Sequence, residues 1–448
     1  MPSYDENVKI AEELARRIRE KGGTAYFVGG YVRDKLLGIE NKDIDIEVHS
    51  VKNEVIEEIL DSMGERLSFG KSFGVYNLKG SFIDIALPRK EECTGERHTD
   101  FRIDTDPYLG TEKASRRRDF TINALMQNVL TAEIIDHHGG VFDLKAKVIR
   151  HIDDSTFPED NLRVLRGAQF AARFEFDIAE ETIALCRKMD VSRISSERVM
   201  EELKKALLKA DKPSVFFRSL LKMNKLSPWF SEVEELCRIE QNKKYHPEGN
   251  VFEHTMMVLD NAAEMRNKTE NPLGFMLAAL VHDFGKIEAT EVVNGEIHAY
   301  NHEKKGLPII KNFLKRITNE KKLTSYILEL AEFHMKPNVL ALCKASVKST
   351  NKMFDSVTAP MDLIYLAICD RGENGVDNYS EADSFLFERA QIYREYMSRP
   401  YVSGKDLIDA GLEAGEDFKA LLELAHKLRL AGVEKSAAMK QIISYKKP

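Results

Sequence analysis

Between Phe27 and Asp45 the chain carries a Gly29-Gly30 pair, a short run that reads as helix over residues 31 to 37, and then Asp43-Ile44-Asp45. Side chains alternate across a strand, so residues 43 and 45 put both carboxylates on one side of a sheet. Such a pair repels itself unless a hard cation neutralises it, and an oxygen-only site completed by substrate phosphates is what Mg²⁺ prefers. The glycines let the backbone approach a ligand closely, and the helix behind them turns its free N–H groups toward an anion. Metal and phosphate are therefore expected to meet here, in a small α/β unit. A lone Gly-Gly is more often a turn and a lone DxD a solvated pair; the conjunction carries the argument.

At 448 residues the chain is too long for one ordinary core, and about two to four domains are expected. It is 43% hydrophobic and 31% charged, as a soluble globular protein is. No apolar run approaches a membrane span, and MPSYDENVKI lacks an export pattern, so a cytoplasmic setting without membrane contact is expected. Cys93, Cys186, Cys237, Cys343 and Cys369 form no CxxC pair, which argues against a disulfide framework and a thiolate zinc site. The net charge of −7 does not advertise nucleic-acid binding. Arg116-Arg117-Arg118, the set Arg163, Arg166 and Arg173, and the pairs Lys204-Lys205 and Lys304-Lys305 could supply local patches, although charge runs are usually solvated faces.

Apolar spacing predicts a helix over 5 to 22, a strand over 25 to 29 and a helix from Asn53 to Met63. Two β-type runs, Phe73 to Leu78 and Phe82 to Leu87, are split by Lys79-Gly80, a hairpin signal. Asp84 alternates with Ile83 and Ile85 and faces one side of the sheet alone. Lys90 to Thr111 is polar and without periodicity. Three consecutive arginines, 116 to 118, could simply be solvated, but fixed cations beside a triphosphate site suit a polyanionic leaving group. Pro158-Glu159-Asp160 is expected to begin a helix running through Ala172, which sets Asp160 and Arg163 on one face.

Gly29-Gly30, Val32-Arg33-Asp34 and Asp43-x-Asp45 together resemble the polymerase-β-like nucleotidyltransferases, in particular the tRNA nucleotidyltransferase/poly(A) polymerase family. Arg117-Arg118-Asp119-Phe120-Thr121-Ile122-Asn123-Ala124 resembles that family's RRDFTxNA motif almost letter for letter. The resemblance implies Mg²⁺ held by Asp43 and Asp45, with Asp84 as a third catalytic carboxylate from a neighbouring strand, and a flexible loop within 90 to 111. It also implies nucleotide contacts from Gly29, Gly30, Arg33, Arg118, Asp119, Asn123, Asp160, Arg163 and Arg166. One Asp160/Arg163 pair could accept the amino group and ring nitrogen of cytosine or adenine while leaving polar groups unpaired against uracil or guanine. Ser195-Ser196-Glu197-Arg198-Val199 resembles the family's ISxERV segment, where core packing accounts for the apolar spacing.

Beyond residue 245, histidines separated by helical segments dominate: His254, His282-Asp283, His302, His334 and then Asp370. Any one is more often a core or surface histidine than a ligand. Together they resemble the HD phosphohydrolase pattern, which implies a site for Ni, Mn, Fe or Mg²⁺ that activates water against a phosphate ester.

The expected architecture is an α+β polymerase-β-like head (1–140), an all-α neck and body (141–240), an all-α HD domain (241–390) and a helical tail (391–448). The resemblance implies addition of C and A to a tRNA 3′ end from CTP and ATP, with phosphatase and 2′,3′-cyclic phosphodiesterase activity in the HD part, in a monomer or homodimer. The rivals are a poly(A) polymerase, a CC- or A-adding enzyme, or an HD phosphohydrolase with a nucleic-acid-binding head.

Overall fold

Tyr4–Glu20 (α1) is helical because Ala11, Leu14, Ala15 and Ile18 recur at helical spacing and bury one face. It stops at Gly22, whose φ of +85° an L residue rarely adopts. The computed structural model describes residues 4–68, 75–93, 101–242, 244, 246–372, 379–413, 415 and 417–445. The chain divides into two compact units: residues up to Glu202 with Val215–Lys225, and Leu203–Ser214 with everything from Leu226 on.

In the first unit, Thr24–Val28 (β1), the short helix Gly30–Leu36 (α2), Ile44–His49 (β2) and Asn53–Met63 (α3) follow α1. Then come Arg66–Ser68 (β3), Val75–Leu78 (β4) and Ile83–Ala86 (β5), with Arg89–Cys93 (β6) and Phe101–Thr105 (β7) beyond them. Thr111–Arg116 (α4), Met126–Asn128 (β8) and Ile134–Ile135 (β9) complete the main sheet region. The strand order is β3-β4-β5-β2-β1-β8-β9, and β2 runs parallel to β5 in an otherwise antiparallel sheet. One sheet face and α1 and α3 enclose a core that includes Phe27, Ile44, Ile46, Val48, Ile83 and Ile85.

The hairpin expected around Lys79-Gly80 is the antiparallel β4/β5 pair; Phe73 and Gly74 lie outside the described residues. The polar stretch from Lys90 to Thr111, where the resemblance implies a flexible loop, holds two strands: β6 and β7 pair antiparallel from Arg89↔Thr105 to Cys93↔Phe101. Strand pairing here rests on backbone hydrogen bonds, which leave no apolar alternation to read. Residues 94–100 lie outside the described residues.

The chain continues through Gly140–Ala146 (α5), Val148–Ile149 (β10), Leu162–Phe174 (α6), Asp177–Ile178 (β11), Glu180–Cys186 (α7), Ser196–Lys209 (α8) and Ser214–Lys222 (α9), of which Leu203–Ser214 belongs to the second unit. The helix expected to begin at Pro158 is corrected. Phe157–Glu159 is a single 3₁₀ turn, Asp160 is extended (φ −126°, ψ 104°), and α6 starts at Leu162. Asp160 Oδ1 accepts the Leu162 N–H at 3.0 Å, so the side chain satisfies a free helix donor instead of standing on the helix face.

The second unit is helical: Ser231–Leu236 (α10), Val251–Met265 (α11), Pro272–Val281 (α12), Lys286–Ala289 (α13), His302–Ile317 (α14), Lys321–Phe333 (α15), Met335–Leu342 (α16), Val347–Phe354 (α17), Pro360–Arg371 (α18) and Glu381–Ser398 (α19). A hairpin of Thr290–Val293 (β12) and Glu296–Ala299 (β13) interrupts it. Gly404–Asp409 (α20), Asp417–Leu430 (α21) and Lys435–Tyr445 (α22) share a small core of Leu407, Leu421, Ala425 and Ile442. The expected α+β head followed by helical domains is the architecture found.

Candidate active site and candidate metal centre

In the head, register sets Asp45 on β2 opposite Asp84 on β5. Both carboxylates are exposed, whereas Ile44, Ile46, Ile83 and Ile85 beside them are buried, so the strands turn acids to one face and isoleucines to the core. Asp43 is exposed just before β2. Asn77 on β4 donates Nδ2–H to Asp84 Oδ1 at 3.0 Å and to the Ile83 carbonyl at 2.9 Å, which fixes the third carboxylate.

Asp45 touches solvent, yet burial lifts its carboxyl to about 6; Arg118 opposes the rise, while Asp84 and Asp43 add to it. An all-oxygen set whose charge the protein leaves incompletely matched fits Mg²⁺. Gly29 (φ +65°) lies directly beneath: a Cβ there would come to 2.9 Å from Arg118 Nη1 and 3.9 Å from Asp45 Oδ2. Arg118 Nη2 also lies 3.6 Å from Glu47 Oε2. Burial pushes Glu47 up, but the His49 hydrogen bond at 2.9 Å and Arg118 outweigh it and leave the carboxyl below its usual range.

The other arginines are placed differently. Arg33 is buried; its Nε donates to Asp34 Oδ1 at 2.7 Å and Nη1 to Asn123 Oδ1 at 2.5 Å, with Phe174 beneath the guanidinium at 4.6 Å. Asn123 in turn donates to Asp119 Oδ1 at 2.9 Å, and Arg166 Nε donates to Asp119 Oδ2 at 2.7 Å. Burial alone would raise Asp119; Arg166 and Asn123 hold its carboxyl below the usual range. Asp119, Asn123 and Arg33, all buried, and the half-buried Arg166 therefore form one hydrogen-bonded lattice.

Arg163 donates Nη1–H to the Thr156 carbonyl at 2.8 Å and Nη2–H to the Arg117 carbonyl at 2.7 Å, which ties the triple-arginine turn to α6. Asp160 is paired with Arg198 instead: Nη2 to Oδ2 is 2.7 Å. Sequence reasoning assigns no chemistry to Arg198, in a segment whose apolar spacing core packing explains.

The helical unit gathers all six expected HD ligands. His254 lies in α11, His282 and Asp283 follow α12, His302 opens α14, His334 joins α15 to α16, and Asp370 lies near the end of α18. Every histidine turns Nε2 toward Asp283 or Asp370. His254 Nε2 is 2.9 Å from Asp370 Oδ1, and His282 Nε2 is 3.4 Å from Asp283 Oδ2 and from Asp370 Oδ1. His302 and His334 Nε2 lie 3.3 and 3.9 Å from the other oxygen, Asp283 Oδ1. The ligand atoms of His254, His282 and Asp370, and those of Asp283, His302 and His334, each close to within 4.8 Å. Asp283 faces both clusters, so one carboxylate stands between two cation positions.

Buried His282 Nε2 has no hydrogen-bond partner, which in a protein interior calls for a ligand. Burial pulls His282 down, but Asp283 and Asp370 outweigh it and lift the imidazole to about 10. A divalent cation would take that proton's place, and mixed imidazole and carboxylate donors fit Mn, Fe, Ni or Mg. Lys286 Nζ lies 2.7 Å from Asp283 Oδ2 and donates to Gln241 Oε1 at 2.8 Å. Gly285 is required: a Cβ would collide with the His302 carbonyl, where α14 starts against the HD turn. His254, Asp283, His302 and Asp370 line a cavity of about 910 Å³, walled by Ile297 and His298 of the hairpin and by Met335 and Leu342. Sequence reasoning did not assign Glu248, which sits 2.8 Å from His254 Nδ1.

A sheet with facing acids beside a glycine turn, joined in one chain to a histidine–carboxylate centre, defines a nucleotidyltransferase with a second, phosphohydrolase-type centre. Residues 25–150 match the family described as "Poly A polymerase head domain", 175–237 "Probable RNA and SrmB- binding site of polymerase A", and 251–374 "HD domain". The chain is 30% identical to the multifunctional CCA protein of Actinobacillus pleuropneumoniae over 91% of its own length and 98% of that protein. It is 30% identical to that of Pasteurella multocida over 92% and 97%. It shares the fold of the Thermotoga maritima CCA-adding enzyme solved with tRNA (TM-score 0.64, 21% identity, 98% of this chain and 95% of that one) and of a CCA-adding enzyme solved with ATP (0.67, 21%, 98% and 92%). The chain belongs to the multifunctional CCA proteins, CCA tRNA nucleotidyltransferases that carry an HD domain.

Proposed function

We propose that Asp43, Asp45 and Asp84 carry the addition of C and A to a tRNA 3′ end from CTP and ATP, and that Asp283 and its histidines carry hydrolysis of phosphate esters, including 2′,3′-cyclic ends. The register that sets Asp45 against Asp84 above Gly29 and Arg118 is the observation that carries the first reading. Asp43 and Asp45 would hold Mg²⁺, which supplies charge compensation for the triphosphate and the attacking oxygen. Asp84, anchored by Asn77, accepts a hydrogen bond from the terminal 3′-hydroxyl and orients it. Arg118 stands over Gly29 as a fixed cation for the leaving phosphates. Gly29 keeps that approach open, and the lattice of Arg33, Asp119, Asn123 and Arg166 holds the turn that presents Arg118.

Base choice rests on Asp160 as acceptor with Arg163 and Arg198 as the adjacent donors. Cytosine and adenine offer an amino donor beside a ring-nitrogen acceptor; uracil and guanine offer the reverse and leave groups unpaired. The setting for this work is the cytoplasm, with the body after residue 141 in contact with tRNA.

The test supplies purified protein with Mg²⁺, a tRNA ending before CCA, and CTP and ATP singly and together, then sequences the product ends. Extension by CCA is expected. A long A tail, CC alone or no extension overturns this reading in favour of a poly(A) polymerase, a partial adder or a non-polymerising head.

A further inference from the structure

Three of the four histidines in the metal centre are held alike. His282, His302 and His334 each have Nδ1 at hydrogen-bond distance from the carbonyl three residues earlier, Ala279, Ala299 and Ala331, at 2.8, 2.9 and 2.7 Å. Nε2 is left for a metal, because the hydrogen bond on one ring nitrogen decides which lone pair the other presents. His254 departs from the pattern. It lies inside α11, and its Nδ1 meets a carboxylate, Glu248 Oε1, at 2.8 Å.

The local chain is shaped to bring that carboxylate back over the helix. Asn250 caps α11 by accepting the Glu253 N–H and also donates to the Cys237 carbonyl. Gly249, at φ +118°, reverses the backbone between Glu248 and the cap. His246 Nδ1 approaches the same Glu248 oxygen at 3.0 Å and keeps the carboxylate aimed. A carboxylate acceptor draws the Nδ1 proton more strongly than a carbonyl does, which makes the His254 imidazole a stronger donor at Nε2 than a carbonyl partner would.

We infer that Glu248 is a positioning residue for the metal centre: it fixes the His254 tautomer and strengthens the His254 Nε2 bond to the cation held with His282 and Asp370. The inference rests on the HD reading above. The ligand atoms of His246, Glu248 and His254 also lie within 4.8 Å of one another, which raises a third cation position. The 2.8 Å separation of Nδ1 from Oε1 is that of a hydrogen bond, and His254 already turns Nε2 to the centre, so the carboxylate orients the ligand.

The test uses the full chain stripped of metal, titrated with Mn²⁺ and Co²⁺ by calorimetry, with the Co²⁺ visible absorption as a report on coordination. The wild type, Glu248→Gln, Glu248→Ala and His246→Ala are compared, and CCA addition serves as the control for folding. Wild type is expected to take up cation in two events. Glu248→Ala weakens one of them by roughly 10–100-fold, while Glu248→Gln, which keeps an acceptor oxygen without the charge, falls between it and wild type. His246→Ala keeps both events, and CCA addition is unchanged throughout. Wild-type affinity and absorption in Glu248→Ala overturn the inference. Loss of a whole equivalent in both Glu248→Ala and His246→Ala overturns it in favour of a third cation. A wild type that binds no transition metal overturns the inference together with the HD reading, and so is distinct from failure of Glu248 alone.

Discussion

Arg198 on α8 donates to Asp160 Oδ2 at 2.7 Å across 38 residues of sequence, while Arg163, three residues from Asp160, is engaged by two backbone carbonyls. The acceptor that a cytosine or adenine amino group would meet is thus aligned by an arginine from a different helix. Arg198→Ala should relax base choice: incorporation of U or G relative to C and A rises by roughly 10–100-fold, the cost of about 1–3 kcal/mol attached to one misaligned polar pair. Single-nucleotide addition to tRNA lacking CCA measures it, and unchanged selectivity removes Arg198 from the selection step.

Asp45 yields a pH prediction with a definite sign. Its pKa in the fold is raised to about 6 from the usual 3.8, so the folded state holds the proton more tightly than the unfolded chain does. Its ionisation therefore costs stability as pH rises through about 4 to 6, and the cost persists at pH 7. Asp45→Asn should make the Mg²⁺-free protein more stable at pH 7.5 by about 1 kcal/mol, a figure discounted for its solvent contact, and should make no difference near pH 3. The same variant should lose nucleotide addition by about 1000-fold or more. Denaturant midpoints at the two pH values, beside addition assays, check both halves.

Gly29→Ala meets two obstacles, a left-handed backbone and Arg118 Nη1 at 2.9 Å. A loss of about 1–3 kcal/mol of stability is expected. A larger proportional loss in nucleotide addition should accompany it, because Arg118 is pushed from its place. Equal wild-type kinetics at a temperature where the variant is folded would show that Arg118 has no part in catalysis.

Asp283→Asn separates the two centres. Hydrolysis of a 2′,3′-cyclic phosphate should fall to background, since the carboxylate shared by both ligand clusters is gone, while CCA addition stays within about 2-fold of wild type. A chelator followed by excess Mg²⁺ makes the same division in the unaltered protein if the HD centre takes a transition metal. Both activities are read on one preparation.

The parts legible in the sequence are those whose physics is local. Asp43 and Asp45 announce themselves by alternation within one strand, and Asp84 by its place between two isoleucines. The HD ligands are legible as a set because each sits at a helix end or on an apolar helix, where an unpaired histidine is out of place. Asp160 was misplaced because a proline and two acids also describe a 3₁₀ turn with a capping aspartate, and only the backbone tells them apart. Arg33 carries the family motif yet lies in the interior between Asp34 and Asn123, a pairing across 90 residues that no local pattern reveals. Arg198 and Glu248 escaped for the same reason: each acts through a partner, and neither has a signature of its own. Glu248 was the more recoverable, since a carboxylate six residues ahead of a helical histidine after a glycine can fold back onto it.

His254 and Asp370 stand 2.9 Å apart in space but 116 residues apart along the chain. The acids of the head, by contrast, lie between residues 43 and 84. On the ribosome the residues of the nucleotide-adding head emerge and can fold long before Asp370 has been made. The order of manufacture thus makes the head competent first and the hydrolytic centre last, and a chain cut short before α18 would be born with one trade instead of two.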